Sequence, residues 1–148
     1  MIEIDQSVKI EQLSRNTVIA LSNDIEFAVS IPSKVKRKLQ TEFRRKGKPK
    51  LFRLRTFVAG VVLLIYHAKF RHVPSVVIDR EYAGQEQNIQ SMFVEMWQRH
   101  YGQAPSVSIK EIGKRSKAHD VAYFTMSGKR KVDRVLTYSE MRRLVFGK

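Results

Sequence analysis

Acids are scarce in this chain, 14 Asp and Glu against 28 Lys and Arg, so the few that sit beside strand ends and helix starts are the first places to look for chemistry. Asp24 follows the apolar run Thr17 to Ser22, Asp79 and Glu81 follow Val76-Val77-Ile78, and Asp120 follows His119 in a segment that Ser116 can cap. Carboxylates carried by separate elements can converge to hold a hard divalent cation such as Mg²⁺ or Mn²⁺, which activates water and stabilises a leaving oxygen at phosphorus. Asp24, Asp79 and Asp120 are the expected metal ligands, with Glu81 and His119 completing the candidate catalytic set. Ordinary structure would also account for them: Asp24 as a turn residue, Asp79-Arg80-Glu81 as a solvated strand exit, and Asp120 as a favourable charge in a first helical turn.

A second group of residues has the opposite charge. Between Ser33 and Arg55 stand eleven Lys or Arg and a single acid, Glu42. Lys34, Lys36, Arg37, Lys38, Arg44, Arg45 and Lys46 crowd one short stretch, where mutual repulsion disfavours the fold unless something anionic binds. Lys114, Arg115 and Lys117 flank the turn before Asp120, where backbone N–H groups at a helix start can also hold a phosphate. With a net charge of +14 and a pI near 10.3, the expected partner is nucleic acid, DNA or RNA, held by salt-sensitive phosphate contacts. An acidic protein or an anionic membrane surface is a further reading of the same charge.

The elements that must position these residues follow from periodicity and turn chemistry. Thr17 to Ser22 and Ile25 to Ile31, separated by Asn23-Asp24, read as a β-hairpin. Pro32-Ser33 then starts a basic amphipathic helix with Val35, Leu39 and Phe43 on one face, ending near Gly47 and Pro49. Arg53 to Ala68 is a near-continuous apolar run better read as a buried helix than as a strand, and Val73 to Tyr82 as an extended segment of central-strand character. Ile89, Met92, Phe93, Met96, Trp97 and Tyr101 recur at helical spacing, so Phe93, Trp97 and Tyr101 read as core rather than as a platform for bases. Ser106 to Ile112 is a strand, Ser116 caps a helix containing Ala118, Val121, Ala122 and Phe124, Val132 to Leu136 is a short edge strand, and Thr137 to Glu140 has capping-box spacing before a last helix. The sum is one α/β domain over 1–148, a mixed β-sheet flanked by α-helices.

Other classes are excluded or unsupported. Without cysteine there is no disulfide framework, zinc knuckle or thiol catalysis. The acidic start Met1-Ile2-Glu3-Ile4-Asp5 lacks the pattern of a secretory signal, and Phe57 to Tyr66 is about half the length a membrane span needs, so a cytoplasmic protein with no membrane partner is expected. Gly113-Lys114-Arg115-Ser116 lacks the spacing of a nucleotide-binding P-loop.

In the order and type of its acids the chain resembles the ribonuclease H-like superfamily, which includes ribonuclease H, transposase and integrase cores, and Holliday-junction resolvases. That family takes one acid from the middle of the first strand of a three-stranded antiparallel start, a second from the end of the strand after the first core helix, and a third from the final core helix. The resemblance implies that Asp24, Asp79 and Asp120 fill these places, and spans Thr17 to Thr125. Ile112 to Asp120 is similar to the resolvase version, in which a Lys-bearing turn leads into the helix of the last acid. It implies a phosphate contact at Lys114, a proton shuttle or metal neighbour at His119, a symmetric homodimer, and metal-dependent endonuclease activity on branched DNA or an RNA-containing duplex. A nucleic-acid-binding module that shares the fold without a complete metal site is the alternative.

Overall fold

Ile2, Glu3, Ile4 and Asp5 alternate apolar and acidic side chains, the period of a strand with two unlike faces, and they form one: β1, Ile2–Ser7. The computed structural model describes residues 1–147. After β1 come the hairpin strands β2 (Thr17–Ser22) and β3 (Glu26–Ile31), then the helices α1 (Ser33–Arg45) and α2 (Phe52–His67), joined by a short 3₁₀ turn at Pro49–Leu51. β4 (Val76–Asp79), α3 (Glu86–Tyr101), β5 (Val107–Lys110), α4 (Lys117–Met126), β6 (Arg134–Val135) and α5 (Tyr138–Phe146) complete a mixed α/β fold. The strand at the N-terminus and the 3₁₀ turn are the elements that sequence reading omits; the other strands and helices fall where their patterns place them.

The six strands form one sheet in the order β5-β4-β1-β2-β3-β6. β2 is antiparallel to β1 and β3, while β4 lies parallel to β1, β5 to β4 and β6 to β3. Five strands therefore run one way and end at a common edge, and β2 alone runs back. In such sheets the carboxyl ends of parallel strands are where ligand sites gather.

The two faces of the sheet are covered unequally. Ile2, Ile4, Ile19, Leu21, Val29 and Ile31 join the large core beneath α1, α2, α3 and α5. α2 seats directly on it, because Gly60 has no Cβ: one placed there would stand 2.7 Å from the Ile19 Cδ1 and 2.9 Å from the Ile31 Cδ1. On the other face a single helix, α4, packs Val121 and Ala122 onto Val18, Ala20 and Ala28. Small residues on both sides let it approach closely, and Ser116 caps its start by accepting the Ala118 N–H at 3.1 Å.

Two polar contacts fix the basic helix. Glu42 is buried and accepts a bidentate pair from Arg142, with Nη2–Oε2 at 2.7 Å, and a hydrogen bond from the Tyr138 hydroxyl, so α1 is clamped to α5. Burial would raise the Glu42 carboxyl, but these donors outweigh it and hold it below the usual range. Lys36, expected on the nucleic-acid-binding face, is instead fully buried. Its ammonium donates to the Gln12 carbonyl at 2.7 Å and to the Thr17 hydroxyl at 3.0 Å, because position 36 lies on the side of α1 that meets the β1–β2 loop.

Candidate metal centre

β1 and β4 are neighbours in parallel register, Ile4 opposite Ile78, so the next position in each strand sets Asp5 beside Asp79. Their odd-even alternation sends Ile4 and Ile78 into the main core and turns the two carboxylates to the α4 side. Glu81 reaches the same point because the chain turns as soon as β4 ends, with the Glu81 N–H donating to the Asp79 carbonyl at 2.9 Å. Carboxylate oxygens of Asp5, Asp79 and Glu81 lie within 4.8 Å of one another.

Asp5 and Asp79 are oriented by their own contacts. Asp5 is 4 % exposed; its Oδ1 accepts the Gln6 N–H at 2.8 Å and its Oδ2 lies 3.0 Å from the His119 Nδ1. Asp79 Oδ1 accepts the Ile112 N–H at 2.9 Å, tying the segment after β5 to the end of β4. Four residues later the Ser116 hydroxyl donates to Glu3 at 2.8 Å, so the turn of Lys114 and Arg115 is anchored to the sheet on both sides. The His119 Nε2 has no hydrogen-bond partner among the described residues, leaving it open to solvent or ligand.

Crowding three carboxylates is electrostatically costly. Burial, with hydrogen bonding to and repulsion from Asp5 and Asp79, pushes the Glu81 carboxyl up to about 8, and burial likewise raises Asp5. Crowding thus favours a proton shared in the cluster, in a place where a divalent cation would satisfy the same charge. Its hard oxygen donors suit Mg²⁺ or Mn²⁺.

The site therefore keeps Asp79, Glu81 and His119 of the expected residues and is built without two of them. Asp24 is exposed in the turn between β2 and β3. Because β2 runs against its neighbours, that turn lies at the sheet edge opposite Asp5 and Asp79. Asp120 is exposed on the outward side of α4, and it is the adjacent His119 that turns to the cluster. Asp5 was missed because it sits in β1, although the alternation Ile2-Glu3-Ile4-Asp5 was a legible strand signal.

No match was found to any family model, curated protein or solved structure.

The cations have a defined relation to this centre. Lys114, Arg115 and Lys117 are exposed around Ser116, beside β1. Lys34, Arg37, Lys38, Arg44, Arg45 and Lys46 are exposed on α1, and among the described residues none of them forms an ion pair. Lys34, Arg37, Lys38 and Arg45 line a groove with Tyr138, over whose ring the Lys38 ammonium stands 5.2 Å from the centroid. α1 begins where β3 ends, at the same sheet edge as Asp5 and Asp79. Phe93 and Trp97 are buried, in keeping with a core role. No helix among the described residues is long and apolar enough to cross a membrane.

Proposed function

We propose that this chain is a metal-dependent nuclease of ribonuclease H-like architecture that hydrolyses phosphodiester bonds of structured nucleic acid, branched DNA or an RNA-containing duplex. The observation that carries the reading is Asp5, an acid in the middle of the first strand and beside the acid that ends β4. It supplies the carboxylate that the resemblance requires there and that Asp24 could not. The antiparallel start β1-β2-β3, the parallel neighbour β4 and the late helix α4 that brings His119 to Asp5 agree with the same reading.

Asp5, Asp79 and Glu81 would hold Mg²⁺ or Mn²⁺, which when bound supplies an activated water and charge stabilisation at phosphorus. His119, held at Nδ1 by Asp5, has its second nitrogen free to accept or return a proton. Lys114, Arg115 and Lys117 would grip the phosphates next to the scissile bond. Exposed cations of α1 would hold the backbone farther along, each neutralised phosphate adding salt-dependent affinity without reading sequence.

The test is to incubate the purified protein with labelled duplex, RNA–DNA hybrid and four-way junction in Mg²⁺, Mn²⁺ or EDTA, scoring cleavage and binding together. Metal-dependent product that disappears in Asp79→Asn, with binding retained, is the expected result. Tight binding without product under either metal would overturn the nuclease reading and leave a binding module.

A further inference from the structure

α4 carries two large aromatic side chains that its packing does not use. Tyr123 is 49 % exposed and Phe124 42 %, with ring centroids 5.8 Å apart and planes at 65°. The helix is already anchored through Ala118, Val121, Ala122 and Thr125 on its buried side. Both aromatics therefore stand on the solvent side, outside the contacts that anchor the helix.

Position along the helix indicates which partner. Tyr123 lies one turn beyond His119, four residues and about 6 Å along the axis, and Phe124 lies one turn beyond Asp120. Cations bracket the rings: Lys114 and Lys117 before them, Lys129 and Lys131 after them, all exposed and none in an ion pair among the described residues. A surface that alternates positive charge, aromatic rings and positive charge fits a polyanion whose own flat apolar groups are accessible. Bases meet that description in a single strand and are hidden in a duplex.

We propose that Tyr123 and Phe124 stack unpaired nucleobases next to the phosphodiester held at Asp5, Asp79 and Glu81, so that among structured substrates the site fits those with unpaired nucleotides at this point rather than fully paired ones. Placing the scissile phosphate rests on the nuclease reading; the stacking surface itself does not.

Anisotropy of a fluorescein-labelled 20-nucleotide single strand and of the matching duplex, measured in EDTA so that nothing is cut, tests the surface independently of catalysis. Tyr123→Ala/Phe124→Ala should weaken single-strand binding roughly tenfold or more while changing duplex affinity less than about threefold. Tyr123→Trp should keep the single-strand affinity, and unchanged melting should show that the fold is intact. Equal losses on both probes, or no loss on either, would overturn the proposal. So would sedimentation showing that the double variant converts a dimer to a monomer with nucleic-acid affinity unchanged, which would make this face a contact between copies. If wild type cuts nothing in Mg²⁺ or Mn²⁺ but the single-strand preference disappears with the aromatics, the nuclease reading fails and the stacking surface stands.

Discussion

His119 Nδ1 lies 3.0 Å from Asp5 Oδ2, joining two residues 114 positions apart in the chain. The contact brings the one helix on the thinly covered face of the sheet to the carboxylate at its centre. It also shows which residue of the pair His119-Asp120 faces the acidic cluster, since neighbouring positions on a helix point about 100° apart.

Asp5→Asn should remove metal-dependent cleavage by more than about a hundredfold, beyond the usual effect of changing a group that only supports a metal ligand. Asp24→Asn and Asp120→Asn should cut within a few-fold of wild type, since both side chains are exposed and outside the cluster. Gel-resolved single-turnover cleavage separates these outcomes. A dead Asp24→Asn with an active Asp5→Asn would return the site to the hairpin.

Glu81 should make the metal-free protein pH-sensitive. Its folded-state value near 8 lies above the ordinary 4.5, so the folded form binds more protons in that interval and stability contributed by the protonated carboxyl is lost as pH rises from about 4.5 through about 8. Melting in EDTA should therefore show Glu81→Gln gaining on wild type as pH rises across this window. Mn²⁺ at a hundred times its dissociation constant should stabilise wild type by about 2.7 kcal/mol and the variant less. Equal responses of both proteins to pH and Mn²⁺ would place Glu81 outside the site.

Lys36 gives a separate signature at higher pH. Burial lowers its ammonium from 10.5 to about 8, so the unfolded chain binds more protons between those values and stability rises with pH across them. At about 1.4 kcal/mol per tenfold change, that difference is worth about 3 kcal/mol. The stability of Lys36→Met relative to wild type should accordingly fall by about this amount from pH 7.5 to pH 10.5, with nucleic-acid affinity unchanged because the ammonium faces Gln12 and Thr17. Denaturant titration at several pH values measures the first effect and anisotropy the second.

Gly60→Ala should destabilise by about 1–3 kcal/mol despite the better helix propensity of alanine, because the added methyl meets the ends of Ile19 and Ile31. Pairing it with Ile31→Val, which withdraws one of those ends, should recover part of the loss. A stabilised single variant would mean that α2 is free to lift from the sheet.

Local order was legible in the residues. Helical spacing marks α1 and α3, the length of its apolar run marks α2, Ser116 caps α4, Thr137 and Glu140 close a capping box on α5, and Asn23-Asp24 turns the hairpin, because each signal lies within one stretch of chain. Charge was legible too: the +14 excess and the acids after β4 can be read without a fold. What the tertiary structure decided is which acids meet. β1 pairs with β2 close by in the chain, but its other neighbour is β4, more than 70 residues later, and that parallel pairing has no local turn to announce it. It set Asp5 beside Asp79, while the reversed run of β2 carried Asp24 to the far edge. In the same way the burial of Lys36 and the exposure of Tyr123 and Phe124 were decided by which side of each helix met the sheet, a choice made by packing across the whole chain.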